Sequence, residues 1–148
     1  MTSLIQIIVA FCGSLGFAVL YNIRGKKLAL AALGGLIAWS LFLFLGLFID
    51  SEPIRYLIVS MTVSLYAEIL ARALKTTATT FIIEPLIPLV PGGSLYYTMS
   101  SAFSGDLNLF IGNAVHTLSL ALSIAIGVVV VAAATHFIMR LRTLKKNV

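Results

Sequence analysis

Charge is scarce in this chain. Ten Lys and Arg and five Asp and Glu make 10% of its 148 residues, where a soluble domain carries roughly 25%. So few charges cannot coat a water-facing surface. Cysteine is scarcer still. Cys12 stands alone, which excludes a disulfide framework and a CxxC metal or redox pair. In its apolar surroundings it reads as a small buried hydrophobe. The two histidines, His116 and His136, are too far apart for a zinc motif, so no metal site is expected. HExxH, Gly-x-Ser-x-Gly and paired aspartates in facing segments are all missing, so neither enzyme chemistry nor a cofactor is expected. The net charge of +5 does not suggest nucleic acid, because no soluble face exists to carry a basic groove.

Apolar length is abundant. Hydrophobic residues make 60% of the chain, and five spans of about 20 residues would use roughly 100 positions. The fold class expected is an all-α integral membrane protein with five transmembrane helices, over 3–21, 28–49, 54–74, 78–103 and 107–139. They form one transmembrane domain over 1–148. The first apolar run lacks a basic n-region and a small-x-small cleavage site, so it reads as a retained span. Tyr21 and Tyr56 fall at predicted membrane interfaces. Trp39 falls near mid-span, where a helix–helix contact is expected. Gly13, Gly16, Gly34, Gly35 and Gly127 would let helices approach closely.

The basic residues set an orientation. With the first turn in the cytoplasm and spans alternating, Arg24, Lys26, Lys27, Arg72, Lys75, Arg140, Arg142, Lys145 and Lys146 all fall inside. Arg55 alone falls outside, together with the acids Asp50, Glu52 and Asp106. The positive-inside rule therefore predicts N-out, C-in with five crossings. The last span is long: Leu107 to Met139 as one helix would measure roughly 50 Å against a core of about 30 Å. The crossing itself is placed at 118–135. The more polar beginning, with Asn108, Asn113 and His116, tilts, projects outward or faces the protein interior.

The fourth span is broken. Pro85, Pro88 and Pro91 are followed by Gly92 and Gly93. Each proline lacks an N–H and clashes with the carbonyl four residues earlier, so no regular helix is expected through them. Helix-compatible sequence resumes near Ser94. In hydrocarbon, irregular backbone is tolerated only under protein or beside a water-filled cavity, which places 85–93 in the interior. A break near mid-depth is the sequence pointer to a transporter binding site. The half-helix beginning at Gly93 and Ser94 would aim free N–H groups at a carboxylate. The candidate substrate-binding residues are Pro88, Pro91, Gly92, Gly93, Ser94, Tyr97 and Asn113. Two acids lie within spans. Glu68 and Arg72 are an i,i+4 pair, which is either a structural ion pair or a proton-titrating group and gate. Glu84 precedes the break with no local partner, either a functional carboxylate by default or a group solvated near the cytoplasmic surface. His116 and Asn113 read more simply as polar contacts between helices.

The stretch Ala67-Glu68-Ile69-Leu70-Ala71-Arg72, followed by Ile87-Pro88-Leu89-Val90-Pro91-Gly92-Gly93-Ser94-Leu95-Tyr96-Tyr97-Thr98-Met99, resembles the threonine/serine exporter family, in its short, single-repeat members. The segments Phe11–Ala18 and Leu33–Trp39 are similar to that family too. One departure is visible: Thr77-Ala78-Thr79 and Ile83-Glu84 stand where the family pattern suggests proline and glycine. The resemblance implies a secondary transporter subunit in a bacterial inner membrane. It would export threonine/serine-type amino acids or dicarboxylates such as succinate, driven by the proton motive force. It further implies a larger membrane subunit as partner. A five-span repeat that is N-out, C-in matches a half of opposite topology, and five spans are few to enclose a midplane site, so a second half or a homo-oligomer is expected. The alternative is a non-transporting scaffold that stabilises a larger transporter.

Overall fold

The computed structural model describes the backbone of residues 2–146 and the side chains of residues 3–140. The side chains of Arg142, Lys145 and Lys146, part of the charge bias at the C-terminus, lie outside the described residues. The fold is helical, with no strand among the described residues: α1 (Thr2–Leu20), α2 (Lys26–Leu45), α3 (Glu52–Ala73), α4 (Thr79–Leu86), a 3-10 turn (Ile87–Leu89), α5 (Gly92–Ser104) and α6 (Leu107–Lys146). Four of the helices, α1, α2, α3 and α6, are long and apolar enough to cross a membrane. The segment expected as a broken fourth span is two short helices, α4 and α5, separated by the 3-10 turn.

The helix ends follow from the sequence. Asn22 and Lys75 adopt positive φ, 57° and 49°, and close α1 and α3 in the same way. Ile23 N–H reaches Ala18 O and Asn22 N–H reaches Val19 O; Thr76 N–H reaches Ala71 O and Lys75 N–H reaches Arg72 O. These are paired Schellman closures, and Ile23 packs on the cluster holding Ala18, the hydrophobic contact that often accompanies the motif. Ser51 sits at the N-cap position of α3, with Pro53 in the first turn and Glu52 beside the positive dipole end. Gly105 ends α5 in the left-handed region, φ 76°, and Asp106 Oδ1 accepts from Leu109 N–H at 3.0 Å to start α6.

Helices α3 and α6 run side by side in the same direction. Glu52 meets His116, and Gly127 faces Leu57 and Ser60. Helix α1 packs on α2, α2 packs on α3 and α4, and α5 packs chiefly on α6. Arg24, Lys26, Lys27, Arg72 and Lys75 thus share one end of the bundle, while Asp50, Glu52 and Arg55 share the other. Two core clusters stack along it. Ala18, Ala31, Ala67 and Phe81 fill the basic end. Ala38, Phe42, Tyr56, Val59, Val63, Leu89 and Leu120 fill the acidic end. Between helices in lipid, close packing and interhelical hydrogen bonds hold such a bundle, since apolar burial gains little there.

Several expectations change. Cys12 is exposed, not buried, because α1 is apolar on every side and hydropathy cannot tell which face turns inward. Tyr56 is 7% exposed and belongs to the core, 4.8 Å from the Phe42 ring, so it is no interface residue. Gly13 and Gly16 have nothing within 4 Å of an added Cβ, so they mediate no close approach. Gly34, Gly35 and Gly127 do. The beginning of α6 faces the interior of a hairpin: Thr117 Oγ1 lies 3.0 Å from Thr98 Oγ1, and Asn113 Nδ2 donates to Ser101 Oγ at 2.8 Å.

Candidate substrate site at the broken span

The prolines act unequally. Pro85 sits inside α4, which runs on to Leu86, whereas irregular backbone was expected from Pro85 onward. A proline near the end of a short helix removes one hydrogen bond without stopping the chain from turning. Pro88 removes the donor that would bond Glu84 C=O. The N–H of Ile87 reaches back to that carbonyl instead, and Ser14 Oγ of α1 donates to it at 2.9 Å. The freed carbonyl of the break is thereby satisfied from a neighbouring helix. Pro91 removes the donor for Ile87 C=O, which Val90 N–H supplies at 3.1 Å in 3-10 fashion. The chain then extends through Val90 (ψ 124°) and restarts as a helix at Gly92, just ahead of the expected start at Gly93 and Ser94.

Two adjacent glycines of α2 cradle this arrangement. A Cβ on Gly34 would run into Pro85 Cγ and lie 3.2 Å from the Tyr66 ring, and one on Gly35 would run into Ser14 Oγ. Tyr66 is fixed by its hydroxyl, which donates to Leu30 O at 2.7 Å. So α1, α3 and α4 converge on one stretch of α2 bare of side chains.

The break is only half covered within this chain. Pro85 and Leu89 are buried, but Val90 is 55% exposed, and Gly92 and Gly93 are exposed. This departs from the expectation that all of 85–93 is interior. The anchor residues point toward α2 and α3, while the backbone after them emerges on the bundle surface. An apolar cavity of about 360 Å³ lies on the α1–α2 side, lined by Pro88, Ile87, Trp39 and Gln6. Another, of about 600 Å³, lies between Pro91, Leu95 and α6.

The structure brings Pro88, Pro91, Gly92, Gly93 and Ser94 together at the break. No side chain caps α5, and no atom lies within 4 Å of a Cβ added at Gly92 or Gly93. Tyr97 lies one turn along α5 with its side chain 64% exposed. Asn113 sits opposite, on α6, its amide engaged by Ser101 Oγ and by Tyr97 O at 3.4 Å. It stitches the hairpin.

Glu84 is 1% exposed, and its Oε2 has no hydrogen-bond partner. It borders a small cavity of about 200 Å³ with Tyr21, Thr79 and Thr80 toward the basic end. No ion pair reaches it among the described residues. Glu68 differs: Arg72 Nη2 lies 3.1 Å from its Oε2, in the expected i,i+4 pair. At the other end, His116 Nε2 lies 3.1 Å from Glu52 Oε2. Among the described residues no three His, Cys, Asp or Glu cluster as a metal site would need. Ser14 and the Gly34–Gly35 cradle escaped the sequence reading as parts of the site. The one available signal was a hydroxyl beside two small-residue positions in otherwise apolar helices.

A family model described as Threonine/Serine exporter, ThrE, matches residues 6–134. No curated protein and no solved structure matches the chain significantly. The match takes in α2 to α5 whole, with the break at their centre and most of α1 and α6 on either side, and the chain belongs to the threonine/serine exporter family.

Proposed function

We propose that this chain is one half of a secondary transporter that exports small carboxylate-bearing metabolites, threonine/serine-type amino acids or dicarboxylates, across a bacterial inner membrane. One observation carries the proposal: the break leaves the irregular backbone at Val90 and the bare first residues of α5, Gly92 and Gly93, exposed on the bundle surface. In hydrocarbon such backbone requires a protein or aqueous neighbour, so a second half of opposite topology covers it and the substrate lies between the two. The α4–turn–α5 segment makes the fourth of five crossings, N-out and C-in. The grouping of Arg24, Lys26, Lys27, Arg72 and Lys75 at one end supports this orientation. The substrate carboxylate docks at the uncapped start of α5, near Gly92, Gly93 and Ser94, with Pro88, Pro91 and Tyr97 shaping the cleft and Asn113 holding the hairpin. Glu84, buried without a counter-cation, carries the coupling proton. Glu68 and Arg72 form the pair that gates or braces the basic end.

Reconstitution tests this. Vesicles holding the chain together with a larger membrane subunit of opposite topology are expected to show saturable, proton-gradient-driven efflux of threonine or succinate, and vesicles holding either alone are not. Equal efflux by the larger subunit alone would make this chain a scaffold. Non-saturable flux would make it part of a channel.

A further inference from the structure

Arg55 is the one basic residue at the acidic end of the bundle, and it is not a free surface charge. Its side chain is 17% exposed. The guanidinium carbon lies 5.0 Å from the centroid of the Phe42 ring, and Nη1 is held against Gly46, 2.9 Å from where a Cβ there would lie. Its Nε is buried with no acceptor. Its one ion pair among the described residues, Nη2 to Glu52 Oε1, is 3.8 Å long, beyond hydrogen-bond reach. The other oxygen of Glu52 is engaged by His116.

A second donor is orphaned nearby. Trp39 stacks on the same Phe42 ring at 5.4 Å, and its Nε1 is also buried without an acceptor. Trp39, Phe42 and Gly46 are spaced three and four apart, so they share one face of α2. That face leads from Arg55 down to the cavity that Trp39 lines with Pro88 of the break. Buried donors are almost always satisfied. Two are left open here, both against the Phe42 ring and between the acidic end of the bundle and the break.

We propose that Arg55 and the indole N–H of Trp39 form a carboxylate-binding station on the outer side of the break, where the leaving substrate is held before release. Arg matches a carboxylate with a bidentate fork, and the indole supplies a single directional donor. A lipid phosphate offers the same oxyanion chemistry to Arg55, but Trp39 lines the cavity that runs to Pro88 of the break, on the side away from the headgroups. The station rests on the transport reading above.

Trp39 is the only tryptophan, so its emission reports directly on the station. The full chain in phospholipid nanodiscs is titrated with L-threonine, with succinate and with threoninol, which lacks the carboxylate. A saturable emission change with threonine or succinate and none with threoninol is expected. R55Q is expected to raise the half-saturating concentration about tenfold or more. R55K, which keeps the charge and the stem but not the fork, should fall between. No change in emission, the same change with threoninol, or equal half-saturation in wild type and R55Q overturns the station. A change that follows only the lipid phosphate content of the disc overturns it too, in favour of a headgroup anchor. Vesicle flux without an emission change discards the station and keeps the transporter; an emission change without flux keeps the station and discards the transporter.

Discussion

A chain carrying Gly34→Leu is expected not to accumulate as a folded membrane protein. A Cβ alone at this position meets the Pro85 ring and approaches the Tyr66 ring, and neither can retreat. Pro85 is part of the backbone of α4, and Tyr66 is tied by its hydroxyl to Leu30 O. Overpacking a core normally destabilises by about 1–3 kcal/mol; here the obstacle is a backbone ring, so the effect should lie at or above the top of that range. Gly35→Leu should act similarly, by displacing Ser14 from the Glu84 carbonyl. Gly16→Leu is the control. Gly16 is exposed with nothing within 4 Å of its Cβ position, so its effect should stay within about 0.5 kcal/mol. Membrane yield and thermal unfolding in detergent check the contrast. Equal yield and melting for Gly34→Leu and wild type would show that α4 does not dock on α2 as described.

Glu84→Gln is expected to abolish proton-gradient-driven efflux while leaving exchange of substrate between loaded vesicles intact. The amide keeps the size and shape of the side chain and removes its ability to take or release a proton. Glu84 suits coupling because nothing neutralises it: it is 1% exposed, one oxygen has no partner, and no cation pairs with it among the described residues. It also lies in the segment that breaks, four residues before Pro88, and its own carbonyl is held by Ser14. Glu68→Gln removes an ion pair whose Arg72 side chain is 41% exposed; screening limits its effect on stability to about 1 kcal/mol or less, and gradient drive should survive. Efflux at imposed pH gradients compares the two. Unaltered gradient dependence in Glu84→Gln would remove the proton from this residue.

The sequence made some of this legible, for physical reasons that can be named. Uninterrupted apolar length located α1, α2, α3 and α6 within a few residues, because a helix in lipid needs little more than that. Three prolines located the break, and i,i+4 spacing paired Glu68 with Arg72. The break's extent was less legible. Pro85 is tolerated within α4, and helix resumes at Gly92, because the freed carbonyls find donors in Ile87, Val90 and Ser14 that local rules do not count. Rotation about helix axes was legible only in part. Gly34, Gly35 and Gly127 mark close approaches, but Cys12 turns outward and Tyr56 inward, since hydropathy alone does not mark the buried face of either helix. Arg55 was visible as the exception to the charge bias, but its folding over Phe42 depends on side chains of α2 and α3 meeting in space.

Gly92→Leu asks whether substrate meets this chain at the start of α5. A Cβ at Gly92 meets nothing within 4 Å, so the isolated chain should fold and accumulate normally. The bulk added there would obstruct only what approaches from outside it. Efflux of threonine or succinate is measured in vesicles that contain the chain and its second half, for wild type and for Gly92→Leu at matched protein levels. Saturable efflux is expected to fall to background in the variant; efflux with wild-type rate and half-saturation would place the substrate elsewhere.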